Sequence, residues 1–246
     1  LPFTFAHPAA VLPLLRHAWF VPAALVIGAM VPDAEYFVLL RAERTISHTP
    51  LGVFVQGLPV GLALYALWTH LWRAYLVELW PWAGRVVGDD AAPRWTRAHG
   101  LRVAASVVLG AFTHLLWDAG THEHGALVER VSALSEPWLT LGAESVSGYR
   151  VLQHGSTVLG FVALGAYALL RARRASAAPV GRPNPGAIAA LVCIAAAATC
   201  TALAHAPGPH SRADLVHAVL AGISAFIAAF TVGAVRRLRQ RSTGPG

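Results

Sequence analysis

Apolar runs long enough to cross a lipid bilayer constrain this chain more than any other feature. They occupy residues 51–72, 101–117, 149–170, 186–206 and 215–235. A hydrocarbon core about 30 Å thick takes about 20 apolar residues in helical form. Inside it, every backbone amide and carbonyl needs a partner within the protein, which a helix supplies and an open sheet does not. A soluble fold would divide the same apolar content into short amphipathic stripes. Only 13% of the residues are charged, against about 25% in soluble domains. The expected fold is an all-α, polytopic helical membrane protein of about five spans plus an N-terminal helical hairpin.

That hairpin is the reading for residues 8–31, where Arg16 and His17 interrupt the apolar run and Pro8, Pro13 and Pro22 punctuate it. Prolines end or kink helices, so one uninterrupted span does not fit. Leu1-Pro2-Phe3-Thr4-Phe5 has no basic region ahead of it, so no cleavable signal peptide is expected. In the first strong span, Gly57-x-x-x-Gly61 is a small-residue spacing that permits close helix packing. Cys193 and Cys200 share one apolar block. Seven residues of helix separate them by about 10 Å, too far for a disulfide.

All 19 basic side chains besides histidine are arginines, and they cluster at the ends of the apolar runs. That is the pattern of membrane topology rather than of a nucleic-acid surface, so no nucleic-acid partner is expected. Threading the spans in order gives two faces. One collects residues 73–102, 171–185 and the tail with Arg236, Arg237, Arg239 and Arg241. The other collects the N-terminal stretch and residues 32–50, 118–148 and 207–214, which hold most of the acids. The positive-inside rule makes the arginine-rich face cytoplasmic and turns the other outward. The domain organisation read from this is a membrane-embedded domain over 1–170, a basic cytoplasmic linker over 171–185, and a transmembrane hairpin with basic tail over 186–246.

The outward face carries the residues able to do chemistry. His114 and Asp118 stand four apart in a helical pattern, which puts both on one face and suits two ligands of one metal ion. Thr121-His122-Glu123-His124 follows one turn on. Ionisable groups at an apolar boundary are costly and point to function. Asp33, in Val31-Pro32-Asp33-Ala34-Glu35, reads either as a metal-facing carboxylate or as a helix N-cap. His7, His48 in Ser47-His48-Thr49-Pro50, and His154 in Gln153-His154-Gly155-Ser156 read alone as capping or packing residues. Topology nevertheless puts all of them on the same face. With no thiolate in the set, zinc, manganese or iron is the expected ion. These donors exceed the four that one zinc takes, and two ions would use about six or seven of them, so one to three ions are expected. Ser47 or Ser156 as a serine nucleophile is a weaker reading, because neither lies in a nucleophile-elbow sequence.

Pro2-Phe3-Thr4-Phe5-Ala6-His7-Pro8, Gly28-Ala29-Met30-Val31-Pro32-Asp33-Ala34-Glu35-Tyr36, Ser47-His48-Thr49, His114-x-x-x-Asp118-x-x-Thr121-His122 and Gln153-His154-Gly155-Ser156 together resemble the bacterial membrane family known as domain of unknown function 4184. The likeness covers residues 1–170 and extends more weakly beyond, and it brings no established activity. The order of these motifs is also similar, more distantly, to membrane-bound metal-dependent hydrolases and to zinc-dependent phospholipase C. The latter likeness implies metal ligands at His7, Asp33, His48, His114, Asp118, His122 and His154, with Asp118 bridging two ions. Where the phospholipase pattern places a further carboxylate, this chain has Val158, with Glu123 or Glu35 as substitutes. An N-terminal metal-binding amine has no counterpart.

The functional expectation is a membrane-bound metal-dependent hydrolase of a phosphoester, with membrane lipids as surroundings and lipid or lipid-linked molecules as substrates. Asp33 or Glu35 would act as the general base. The competing expectation is a non-enzymatic membrane protein with a structural metal site or an ion- or proton-handling role. A pathway needs polar groups continuing across the membrane, and the inner halves of residues 51–72 and 101–117 offer only Ser106 and His70.

Overall fold

The computed structural model describes residues 4–41, 45–88, 95–142, 144–175, 181–206 and 211–243. The chain opens with a 3-10 helix, Thr4–Arg16. Helices α1 (Pro22–Gly28), α2 (Ala34–Leu39), α3 (Pro50–Leu79) and α4 (Arg97–Thr121) follow. After them come α5 (Gly148–Arg174), α6 (Pro185–Ala204) and α7 (Arg212–Thr243). Short helices at Pro81–Val87 and Ser132–Ser135 lie between, as do strands β1 (Pro137–Leu141) and β2 (Glu144–Ser147). Among the described residues, α3, α4, α5, α6 and Ala213–Arg241 of α7 are each long and apolar enough to cross a membrane. Pro22–Gly28 with Val31–Leu39 makes a sixth if taken as one broken span. The all-α, membrane-spanning expectation therefore holds.

Local chemistry explains the departures from ideal helix. Pro8 and Pro13 lie inside the opening segment and each removes a backbone donor, so it winds as a 3-10 helix rather than an α-helix. The N-terminal hairpin thus has one 3-10 arm and one short α arm. In α3, a π turn at Val53–Gly57 directly precedes the turn that contains Pro59. A proline ring clashes with the carbonyl four residues earlier, and the wider turn accommodates it. A second π turn covers Trp68–Trp72, and the helix runs on to Leu79. The sequence reading ended this span at Trp72; no proline or glycine interrupts the chain before Pro81, so nothing stops the helix sooner.

The chain divides into two compact units. The first comprises Leu1–Pro32, Thr45–Ala63 and Trp95–Leu169. Its core gathers Val11, Leu25 and Ala29, with Leu14, Leu15, Phe20, Val26 and Leu109 packed around them. Glycine makes the crossing of α1 and α4 close. A Cβ on Gly28 would stand 2.3 Å from the Val107 carbonyl oxygen, and one on Gly110 would stand 2.4 Å from that of Leu25. Gly61 of α3 lies against the Val107 side chain, as its spacing from Gly57 suggested. At the other end of the crossing, the Val21 amide donates to Ser106 Oγ (3.0 Å), whose own hydroxyl donates to the Arg102 carbonyl (2.7 Å).

The acid-rich stretch after α4 contains an antiparallel hairpin of β1 and β2 that the hydropathy pattern does not reveal. Gly142, at φ 64°, occupies the left-handed region that begins its turn. A register shift between Pro137 and Leu139 marks a bulge. Along α5, Val158, Leu159, Phe161 and Val162 are exposed, as expected of a surface solvated by lipid tails rather than water.

The second unit comprises Asp33–Arg44, Leu64–Arg94 and Leu170–Gly246. Here α6 and α7 pack closely through Gly222, which sits against Thr199 and the Ala195 carbonyl. Trp72 Nε1 donates to Thr231 Oγ1 at 3.1 Å, and the Tyr75 and Phe230 rings meet with centroids 4.9 Å apart. The Asn184 amide donates to the Leu79 carbonyl at 3.0 Å, and the Arg237 guanidinium pairs with Glu78. The ends of α3 and α7 and the start of α6 therefore share one end of this unit, together with much of the chain's arginine.

Candidate metal centre

Three segments of the first unit converge on one carboxylate. Helix α4 supplies His114 and Asp118 on one face, then ends at Thr121 with His122 as its C-cap in extended conformation. The 3-10 helix supplies His7, and the 3-10 turn Ile46–His48 supplies His48. His7 Nε2 lies 3.1 Å from Asp118 Oδ1, and His122 Nδ1 lies 3.3 Å from the same oxygen. His114 Nε2 and His48 Nε2 stand 3.5 and 3.7 Å from Oδ2. The Asp118 oxygens are thus each faced by a pair of imidazoles. His7 and His114 stack with centroids 3.9 Å apart, and His48 meets His114 edge-on at 5.4 Å. His7 and His114 are each 1% exposed and Asp118 is 5% exposed.

Neighbouring groups aim these side chains. His114 Nδ1 lies 2.9 Å from the Ala29 carbonyl oxygen. A carbonyl only accepts, so Nδ1 carries the proton and Nε2 presents its lone pair toward Asp118. The close crossing at Gly28 and Gly110 brings that carbonyl into reach. Ser47 Oγ and His48 Nδ1 share a hydrogen bond of 2.8 Å, which fixes the His48 ring with Nε2 toward Asp118. Trp117, packed beside His7, donates from Nε1 to Ser156 Oγ at 3.1 Å and so ties α4 to α5. Metal-binding histidines characteristically have such a partner on the second ring nitrogen.

The donor set fits a divalent ion. His7, His114 and Asp118 offer ligand atoms that all lie within 4.8 Å of one another. Ligands at 2.0–2.1 Å from a tetrahedral ion stand about 3.3 Å apart, and the four histidine–Asp118 separations bracket that value. Four imidazoles around one buried carboxylate form a nitrogen and oxygen site with no thiolate.

The remaining histidines and carboxylates of the chain differ in burial. Asp33 is buried and occupies the N-cap position of α2, but its side chain makes no capping hydrogen bond, so the capping role does not account for it. It and the partly exposed Glu35 belong to the second unit. Glu123, His124 and His154 are exposed, as is Val158. The Gln153-His154-Gly155-Ser156 motif instead turns Gln153 inward and contributes Ser156 to Trp117. His70, His205 and His217 are exposed, and His210 lies outside the described residues. Two features escape sequence reasoning. The Ala29 carbonyl has no residue signature, whereas Ser47 as a partner of His48 could have been suspected from their adjacency.

Compared with protein families, the chain matches the one described as Domain of unknown function (DUF4184) over residues 1–235. No curated protein and no solved structure matches it.

Proposed function

From the premise that the chain belongs to the DUF4184 family, whose description assigns no activity, we propose that it is a membrane-embedded metal-dependent hydrolase acting on a phosphoester. The observation that carries the reading is the convergence of His7, His48, His114 and His122 on the buried carboxylate of Asp118. His7, His114 and Asp118 would hold one ion, with His48 and His122, which also face Asp118, as further donors. Zinc suits the donors best, with manganese or iron as alternatives. Such an ion supplies Lewis-acid polarisation of a phosphoryl oxygen and activation of water.

The residues divide the remaining work. The Ala29 carbonyl holds the His114 ring in its ligating tautomer, and Ser47 orients the His48 ring. His122, whose side chain is 16% exposed, marks the open side through which substrate would approach. Asp33, joined directly to buried Pro32, is assigned as a further ligand or as the general base, with Glu35 as the alternative base. The acid-rich face carrying the cluster would be extracytoplasmic by the positive-inside rule, in the cytoplasmic membrane of a bacterium. A lipid or lipid-linked phosphoester is the substrate class that such a position favours.

Near-complete burial of His7 and His114 favours a second reading, a closed structural metal site without turnover. Elemental mass spectrometry of the detergent-purified protein, beside a His114→Ala/Asp118→Ala variant, tests the site. Stoichiometric metal that disappears in the variant is expected. A metal-free parent purified without chelator, with the variant still folded, would overturn both metal readings. Turnover of phosphodiester and phosphomonoester lipid analogues by the metal-loaded protein separates the hydrolase from the structural site.

A further inference from the structure

Arginines gather in the second unit around the end of the short helix Pro81–Val87. Arg73, near the end of α3, donates to the Gly88 carbonyl, and Arg171, in the last turns of α5, donates from Nε to the Val86 carbonyl at 2.7 Å. Gly88, at φ 81°, keeps the space between them open, since a Cβ there would lie 3.3 Å from an Arg171 guanidinium nitrogen. Arg85 lies in the last turn of the same short helix.

Capping of a helix C-terminus explains the two carbonyl bonds. It does not explain the rest. Each guanidinium has five N–H donors and cannot shed its charge. Among the described residues, Arg73 Nε and Arg85 Nε are buried and lack any hydrogen-bond partner. The nearby carboxylate of Glu78 is already engaged by Arg237 and Arg241. A buried donor left unmatched is costly, and the like charges of Arg73 and Arg171 at Gly88 repel each other, which a bound anion would relieve. Trp80 and Trp82, with rings 6.0 Å apart and Trp80 exposed, form the aromatic pair typical of the headgroup level of a membrane.

We propose that Arg73, Arg85 and Arg171 form a binding site for a phosphate group at the arginine-rich membrane face. Guanidinium forks match phosphate oxygens in geometry as well as charge. An anionic phospholipid headgroup and free phosphate share this chemistry, and the test distinguishes them. It is independent of the His/Asp cluster and uses different residues.

The experiment is native mass spectrometry of the delipidated full chain with added phosphatidylglycerol or cardiolipin, phosphatidylcholine as the zwitterionic control, and inorganic phosphate in a parallel thermal-stability series. Arg85→Gln is the main variant because Arg85 Nε is buried without a hydrogen-bond partner among the described residues. Selective binding of the anionic lipids, weakened about fivefold in Arg85→Gln and retained in Arg85→Lys, is expected. Stabilisation by inorganic phosphate with the same dependence on Arg85 would assign the site to free phosphate. Binding of neither probe, or binding unchanged in Arg85→Gln, would overturn the proposal.

Discussion

Replacing Gly110 with alanine should unsettle the metal centre although Gly110 carries no side chain to contribute to it. The added Cβ would stand 2.4 Å from the Leu25 carbonyl oxygen and 2.7 Å from the Ala29 amide nitrogen, both backbone atoms that cannot rotate away. To restore ordinary contact, α1 must withdraw by about 1 Å, because a packed interior has no slack to absorb the overlap. The His114 Nδ1 to Ala29 carbonyl bond, now 2.9 Å, would open beyond hydrogen-bonding range by that movement. Overpacking of this kind costs about 1–3 kcal/mol, and the lost bond about 1 kcal/mol more. Alanine's better helix propensity returns about 1 kcal/mol, leaving a net destabilisation of about 1–3 kcal/mol. Losing the partner that orients a ligating histidine lowers metal affinity about 10–100-fold. Gly165→Ala is the control, since a Cβ at that position meets nothing within 4 Å. Thermal unfolding in detergent and competitive zinc titration of both variants provide the assay. Wild-type zinc affinity in Gly110→Ala would refute the idea that the α1–α4 crossing aims His114.

Other outcomes follow from the same geometry. Ser47→Ala should weaken metal binding about 10–100-fold by freeing the His48 ring, with the helical circular dichroism unchanged. His122→Ala should lower metal affinity or stoichiometry, whereas His154→Ala should leave metal content at the parent value, because His154 is exposed; elemental analysis of the two variants side by side decides. Acidification should release the ion, since ligating imidazoles must be neutral and protons compete for the same lone pairs. Equilibrium dialysis across a pH series should show affinity falling as pH falls, and a flat profile would count against histidine ligation.

The legible part of the site was the part encoded locally. His114 and Asp118 stand four residues apart on a long helix, so their shared face follows from helical periodicity alone. His7 and His48 arrive from distant segments, so the sequence put them only on the same membrane face as that pair, through topology, and the resemblance to a family pattern linked them to it more closely. The Ala29 carbonyl could not be read, because a backbone group carries no residue identity and its position depends on how α1 crosses α4. The glycines that permit that crossing, Gly28 and Gly110, lie in different apolar runs, so no spacing within one segment announces them. His154 was drawn toward the site by its motif, but the rotation of α5 turns Gln153 inward instead. Pro137–Leu141 and Glu144–Ser147 escaped notice because each strand is short and the hairpin is held partly by Trp138, which donates to the Ala133 carbonyl at 2.7 Å and packs on Gly148.

The proline-broken 3-10 helix at Thr4–Arg16 bears on when the His/Asp cluster can be assembled. It carries His7 and Arg16, and its irregular winding leaves it unsuited to enter a bilayer as a free segment. It packs against α1 and α4, burying Ala6, His7, Pro8 and Val11. Its docking surface therefore exists only after those helices have inserted and met. On that account His7 would join Asp118 only after α1 and α4 have met. On the metal-site reading proposed above, a newly made chain would lack one ligand of the cluster until its membrane helices had assembled.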